Sequence, residues 1–312
     1  MKKTYKFLLK HLPIVLGCAL ATSAIGVIAL ILGYNDITSW LSLKGACTII
    51  FIIFGLFSIG YVGYITYKTN DIHIKRIKKS SGFLRVCSCL AFAITLFIFG
   101  FELVKIILAS YQSSFSEYFS VWRVLRFVFA LPCSCYFLLM ALPTKLRRRK
   151  VNIPKPIWYI CSVSTILWAL SGLLASYFSS QLSTMNILKI WQILVYLCFA
   201  VFFLFEAKFE HINQSPRAFI FTGCLALIVT MAFSLSSLIC LAIGTISGHN
   251  SFSAPELICS VIIGLYAFSR IYAIPFTIKH VIETSDTHIS SGEHKHHHHR
   301  HSSNSSSKSE NQ

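Results

Sequence analysis

Charged residues are scarce in this sequence. Asp, Glu, Lys and Arg together make up 12% of the 312 residues and only 11 residues are acidic, whereas 55% are apolar. A soluble domain of this length needs more polar surface to cover its core, and long apolar runs indicate lipid instead. The scarcity of charge therefore excludes a large soluble domain. It predicts that the lipid bilayer is the main partner of the chain.

Motifs for catalysis and for cofactor binding are also missing. The sequence contains no HExxH pattern, no phosphate-binding glycine-rich loop and no nucleophile elbow. None of the apolar segments that we predict to span the membrane holds a pair of acidic residues. These absences do not predict an enzyme, and they give no reason to expect a required cofactor.

Eight apolar runs are each long enough to cross a bilayer, which takes about 20 residues of helix. They lie at about 13–33, 46–67, 84–109, 121–143, 156–178, 187–207, 216–245 and 255–276. We therefore predict an all-α polytopic membrane protein with eight transmembrane helices. This prediction divides the chain into an N-terminal tail (1–12), helices 1–4 (13–143), a basic loop (144–155), helices 5–8 (156–276) and a C-terminal tail (277–312).

Lysine and arginine occupy alternate loops, and this pattern predicts the orientation. They cluster in the N-terminal tail, in the loops after helices 2, 4 and 6, and in the C-terminal tail, whereas the intervening loops hold only Lys44. Loops rich in Lys and Arg stay in the cytoplasm. We therefore predict a protein of the cell membrane with both termini cytoplasmic. The net charge of +17 belongs to these loops and does not indicate nucleic acid.

The start of helix 1 allows a second interpretation. Val15-Leu16-Gly17-Cys18 is similar to a lipoprotein cleavage site, and cleavage there would leave seven helices in the same orientation. The apolar run continues to Gly33, however, whereas the apolar region of a signal peptide ends at its cleavage site. This difference favours eight helices.

Short landmarks recur in the same order in the two halves of the chain. The triplet Cys-Leu-Ala at 89–91 recurs at 224–226, and Ser-Phe-Ser at 114–116 recurs at 251–253. Two interpretations stay open, a 4+4 duplication and chance matches between apolar sequences. A duplication of four helices would place the two repeats parallel to each other, as in many solute carriers.

Ionisable residues inside helices 3 and 4 form the first candidate site. They are Glu102, Lys105, Arg123 and Arg126. Charges at membrane depth are costly, so they indicate either a structural ion pair or a functional site. Three interpretations stay open: an ion pair between Glu102 and Arg126, a positively charged pocket that attracts anions, and a proton relay through Glu102.

Helices 4, 6 and 8 contribute further candidates. Glu206, near the end of helix 6, and Arg270, in helix 8, are predicted to form an ion pair that joins these helices. Pro132 falls in the middle of helix 4, where it removes one backbone donor and should kink the helix.

The C-terminal tail is rich in Ser, His and Lys from about residue 285 and has almost nothing apolar to bury, so we predict disorder there. Imidazoles at this density are candidate ligands for divalent zinc, nickel or copper. The candidate metal ligands are His294, His296, His297, His298, His299 and His301.

Two classes of function agree with these features. A transporter or permease for a small solute or ion is favoured by the intramembrane charges and by the internal duplication. A non-transporting membrane sensor or assembly protein with a metal-binding tail is favoured by the shortage of polar residues near the middle of the predicted spans.

A chain that ends at Ser285 tests the metal prediction. We expect the full chain to bind divalent nickel or zinc and the shortened chain to lose that binding, because it lacks the histidine cluster. Isothermal titration of each purified protein with the metal ions provides the measurement. Equal affinities would assign the metal site, if any, to the rest of the chain.

Overall fold

A computed structural model describes residues 2–35, 40–41, 45–69, 81–111, 121–142, 155–178, 186–212, 216–246 and 253–296. Within these ranges the side chains beyond Ile282 are not described. The predicted metal ligands His297 to His301 lie outside the described residues, and the side chains of His294 and His296 are not described either. The predicted disorder and metal binding of the tail therefore stay predictions.

The described residues form eight long helices, and the predicted all-α polytopic membrane fold is confirmed. All eight are long enough and apolar enough to span a membrane. The helices are α1 (Lys2–Gly33), α2 (Ala46–Lys68), α3 (Gly82–Tyr111), α4 (Val121–Ala141), α5 (Lys155–Tyr177), α6 (Ile187–Ile212), α7 (Pro216–Ile243) and α8 (Ala254–His296). Between α1 and α2, the two-residue strands Tyr34–Asn35 and Trp40–Leu41 pair antiparallel.

Helices α1 and α8 are longer than the apolar runs that predicted them. Helix α1 begins at Lys2, so the predicted N-terminal tail is largely helical, and α8 continues to His296. Helix α4 continues on both sides of Pro132, and the kink that we expect there stays a prediction.

Helix α8 lies at the centre of the bundle. It packs against α1, α3 and α7, while α3 to α7 each pack against the next helix in the chain. It is the most buried of the eight helices, and α2 and α3 are the least buried. The large apolar side chains that α2 and α3 leave exposed, such as Leu56, Phe57 and Leu103, are therefore the surface that lipid covers.

The two halves of the chain do not have equivalent neighbours. Helix α6 packs against both α5 and α7, whereas α2, the equivalent helix of a 4+4 repeat, packs mainly against α1 and α7. The repeat stays a prediction.

Helix α7 contains an irregular segment in contact with α1. Its residues Met231–Leu235 form a π-helical turn, which is often found at functional positions in helices. Directly after it, the Ser236 hydroxyl donates a hydrogen bond to the Ser23 carbonyl (3.0 Å). Gly26 lies at the same contact, and a Cβ atom there would be 2.7 Å from the Ser236 hydroxyl oxygen. At Gly26, α1 and α7 therefore lie so close together that only glycine fits between them.

Replacement of Gly26 by alanine tests this close approach. We expect Gly26→Ala to lower the free energy of unfolding by about 1–3 kcal/mol, the usual cost of overpacking a tight contact. Gly17→Ala, in the same helix, is the matched control because no atom lies within 4 Å of a Cβ at that position. Thermal unfolding in detergent compares the two. Equal melting temperatures would contradict the predicted contact.

Candidate functional site

Ionisable side chains at the two ends of α4, α6 and α8 form the candidate site. All three helices begin at the same end of the bundle, which we call the far end. The opposite end, where the loops carry the clusters of Lys and Arg, is called the basic end. Each end contains one buried network of charged and aromatic side chains, and α6 and α8 contribute to both.

The far-end network is defined as Arg126, Tyr196, Glu256 and Trp168. Arg126 lies five residues after the start of α4, roughly 8 Å into the helix at 1.5 Å per residue. Its Nη1 atom donates a hydrogen bond to Glu256 Oε1 (2.7 Å), and its Nη2 atom donates to the Tyr196 hydroxyl (2.6 Å). The arginine therefore joins helices α4, α6 and α8 through one guanidinium group.

Polar side chains on α6 and α8 support Glu256 and its surroundings. Ser253, at the start of α8, donates a hydrogen bond from its hydroxyl to Glu256 Oε2 (3.2 Å). Gln192 on α6 donates to the Ser260 hydroxyl (3.1 Å), which in turn donates to the Glu256 carbonyl (3.0 Å). The Ser253 hydroxyl therefore holds the carboxylate directly, while Gln192 and Ser260 connect α6 to the backbone of α8 beside it.

Aromatic rings enclose the Arg126 guanidinium group. Its carbon lies 5.2 Å from the centre of the Tyr196 ring and 5.8 Å from that of the Trp168 ring. Cation–π attraction at such distances stabilises a desolvated arginine. Gly172 on α5 allows this packing, because a Cβ atom there would lie 2.8 Å from the Tyr196 ring.

Two buried donors of the far-end network have no hydrogen-bond partner within the part of the chain that the structure describes. They are Arg126 Nε and Trp168 Nε1. Trp168 is 1% exposed and Arg126 is 9% exposed. An unpaired buried donor costs free energy, so this pair of atoms indicates that something else accepts their hydrogens.

The ion pair between Glu102 and Arg126, one of the three interpretations that the sequence left open, is not formed among the described residues. Glu102 lies 3.6 Å from Lys105, three residues further along α3, and both side chains are partly exposed. The carboxylate of Glu256 takes the position beside Arg126 instead. Arg123 lies one helical turn nearer the far end than Arg126, and its side chain is partly buried. The four predicted residues therefore share a region but do not form one network.

The basic-end network is defined as Arg270, Glu206, Glu210 and Tyr266. Arg270 Nε donates to Glu206 Oε1 (2.5 Å) and Nη2 donates to Glu210 Oε1 (2.6 Å). The Tyr266 hydroxyl also donates to Glu206 Oε1 (2.9 Å). The contact predicted between Glu206 and Arg270 is thus present, and Glu210 joins it from one turn further along α6.

All four side chains of the basic-end network are buried. Two carboxylates share one guanidinium group here, although none of the predicted spans contained a pair of acidic residues. Glu210 was missed because the apolar run predicted for helix 6 ends near residue 207, while α6 itself continues to Ile212. Glu206 Oε2 has no hydrogen-bond partner in the described residues.

An aromatic layer separates the two networks. Glu256 and Arg270 are 14 residues apart on α8, about 21 Å along the helix. Between them, the Phe137 ring packs 6.1 Å from the Phe203 ring and 4.8 Å from the ring of Tyr266, whose hydroxyl belongs to the basic-end network, measured between centroids. These rings are fully buried. The middle of the bundle is therefore closely packed between two charged ends.

No group of three or more His, Cys, Asp or Glu side chains suited to a metal ion is present among the described residues. Cys87 and Cys133 are buried while Cys89 and Cys135 are exposed, because residues two apart on a helix point in different directions.

Comparison of the chain with protein-family models, with curated proteins and with solved structures found no match. The chain is a multi-pass membrane protein by its eight apolar helices, and its activity has to be inferred from the two networks.

Separate substitutions of Glu256 and Glu102 test which of these two carboxylates is the partner of Arg126. We expect Glu256→Ala to lower the free energy of unfolding by about 1.5–3 kcal/mol, because it removes a hydrogen bond between charged groups. Glu102→Ala should cost less, because its contact with Lys105 is longer (3.6 Å) and both side chains are partly exposed. Thermal unfolding in detergent compares the two variants. A larger loss of stability in Glu102→Ala than in Glu256→Ala would indicate that Glu102 is the partner of Arg126.

Proposed function

We propose that the protein is a transporter or permease for a small solute, in which the two buried networks act as gates at opposite ends of one pathway. The observation that carries the proposal is the position of the networks. Both connect α6 to the central helix α8, and they lie about 21 Å apart along α8.

Transport by alternating access needs each end of the pathway to close and to open. A salt bridge between neighbouring helices holds an end closed, and its separation lets one group of helices move against another. The far-end network joins α8 to α4 and α6, and the basic-end network joins α8 to α6. In this proposal the structure corresponds to a state in which both ends are closed, with the aromatic layer packed between them.

The same aromatic layer favours a second candidate function. A bundle that stays packed in its middle transports nothing, and its charged networks then serve only to hold the helices in register. The protein would in that case act as a membrane sensor or assembly partner through the basic loops and the tail. The two functions differ in whether water reaches the buried layer of the folded protein.

Solute uptake by reconstituted protein tests the transport proposal. We expect purified protein in proteoliposomes to take up at least one member of a panel of inorganic ions, amino acids, carboxylic acids and sugars. Arg126→Gln and Arg270→Gln should each reduce that uptake at least tenfold, because each variant removes the cation of one gate. Lys68→Gln, which removes a cation near the end of α2, is the matched control and should transport at the wild-type rate.

A native cysteine reports whether the far end opens. Cys259 lies one turn after Glu256 on α8 and is 1% exposed. A transporter that opens should let a water-soluble methanethiosulfonate reagent modify Cys259 in the folded protein, as measured by mass spectrometry of the peptides. An unreactive Cys259, together with no uptake across the panel, would overturn the transport proposal and favour the second function.

A further inference from the structure

We infer that the far-end network binds a small oxyanion, such as a carboxylate, between Arg126 Nε and Trp168 Nε1. This inference rests on the transport proposal and names the class of its substrate. The binding itself can be measured without transport, so the two can fail separately.

The first step of the argument is the inventory of donors. A guanidinium group has five N–H donors and no acceptor, and an indole has one N–H donor. Two nitrogens of Arg126 are occupied by Glu256 and Tyr196. The third, Nε, and the indole nitrogen of Trp168 are buried without a partner in the described ranges. Each of these two N–H groups needs a hydrogen-bond acceptor, and neither nitrogen can itself accept a hydrogen bond.

The second step is the position of the two donors. Arg126 is on α4 and Trp168 is on α5, and the guanidinium carbon lies 5.8 Å from the centre of the indole ring. The two side chains are therefore neighbours, and the inference requires that one small ligand with two acceptor oxygens contacts both donors. Planar oxyanions suit arginine in particular, because its N–H groups match the geometry of a carboxylate.

The third step is the charge of the surroundings. The cation next to Trp168 is the buried guanidinium group of Arg126. A buried cation in a low-dielectric environment attracts an anion. The residues that close the site, Tyr196 and Trp168, are each 1% exposed, so the ligand has to be small.

Glu256 gives the site a means of responding to its ligand. It is the one acidic group that hydrogen-bonds to Arg126 in the described residues. An anion that binds to Nε competes with Glu256 for the same positive charge. Binding therefore weakens the contact between α4 and α8 and favours the opening of the far end.

Anion titrations of the full-length protein in detergent test the site. The probes are the sodium salts of acetate, glycine, nitrate and phosphate, at constant ionic strength and with chloride as the reference. The readouts are the melting temperature and the intrinsic tryptophan fluorescence. We expect at least one oxyanion to raise the melting temperature in a saturable manner, because a ligand that binds only the folded state stabilises it. A response to acetate or glycine indicates an organic carboxylate as the ligand, whereas a response to nitrate or phosphate alone indicates an inorganic anion.

Trp168→Phe is the decisive variant, because it removes the indole N–H and keeps an aromatic ring beside Arg126. The affinity for the oxyanion should fall about tenfold, as expected for one lost hydrogen bond to a charged acceptor. Trp191→Phe is the matched control. Trp191 is also buried on α6, but it stacks against Phe233 of α7, and its replacement should leave the affinity unchanged.

Three results would overturn the inference. They are the absence of any saturable oxyanion effect, an equal affinity in the wild type and Trp168→Phe, and an equal loss in Trp168→Phe and Trp191→Phe. Anion binding without uptake would keep the site and reject the transport proposal. Uptake of a solute that is not an anion, without anion binding, would reject the site and keep the transport proposal.

Discussion

The cost of burying an arginine among apolar helices governs the arrangement of this bundle. Neither Arg126 nor Arg270 reaches water freely, since their exposed fractions are 9% and 2%. Each guanidinium group therefore needs a carboxylate and further acceptors within hydrogen-bond distance. Helices α6 and α8 provide them, with Glu256 and Tyr196 at one end and Glu206 and Glu210 at the other. These requirements connect α8 to α4 and α6 through side chains, although α8 packs mainly against α1, α3 and α7.

Close packing of the remaining helices depends on small residues. Gly26, Gly172 and Gly264 each lie against a side chain that a Cβ atom would meet at less than 3 Å. Without a hydrophobic driving force between helices in lipid, such close contacts supply much of the attraction. The charged networks connect α4, α6 and α8, and the glycines set how near the packed helices come. Together they explain why the middle of the bundle is packed although its two ends are charged.

Part of the candidate site could be predicted from the sequence. The pairing of Glu206 with Arg270 was predicted because both residues lie near the same end of their apolar runs. The partner of Arg126 was not, because Glu102 is on the neighbouring helix in the chain, whereas Glu256 is 130 residues away. Ser253 and Glu256 have the spacing of a capping box, which is a local signal for the start of a helix. It gave no sign that the carboxylate also serves another helix.

The sequence by itself determined the number of helices, their approximate limits and the class of protein. A chain in lipid has to satisfy its backbone hydrogen bonds within each segment, so every long apolar run forms a helix. The tertiary structure alone decided which faces meet, because an apolar helix has no polar face that would indicate its rotation. The choice of Glu256 over Glu102, the addition of Glu210 and the unpaired donors of Arg126 and Trp168 all depend on that rotation. They were therefore settled by the packing of the helices against one another.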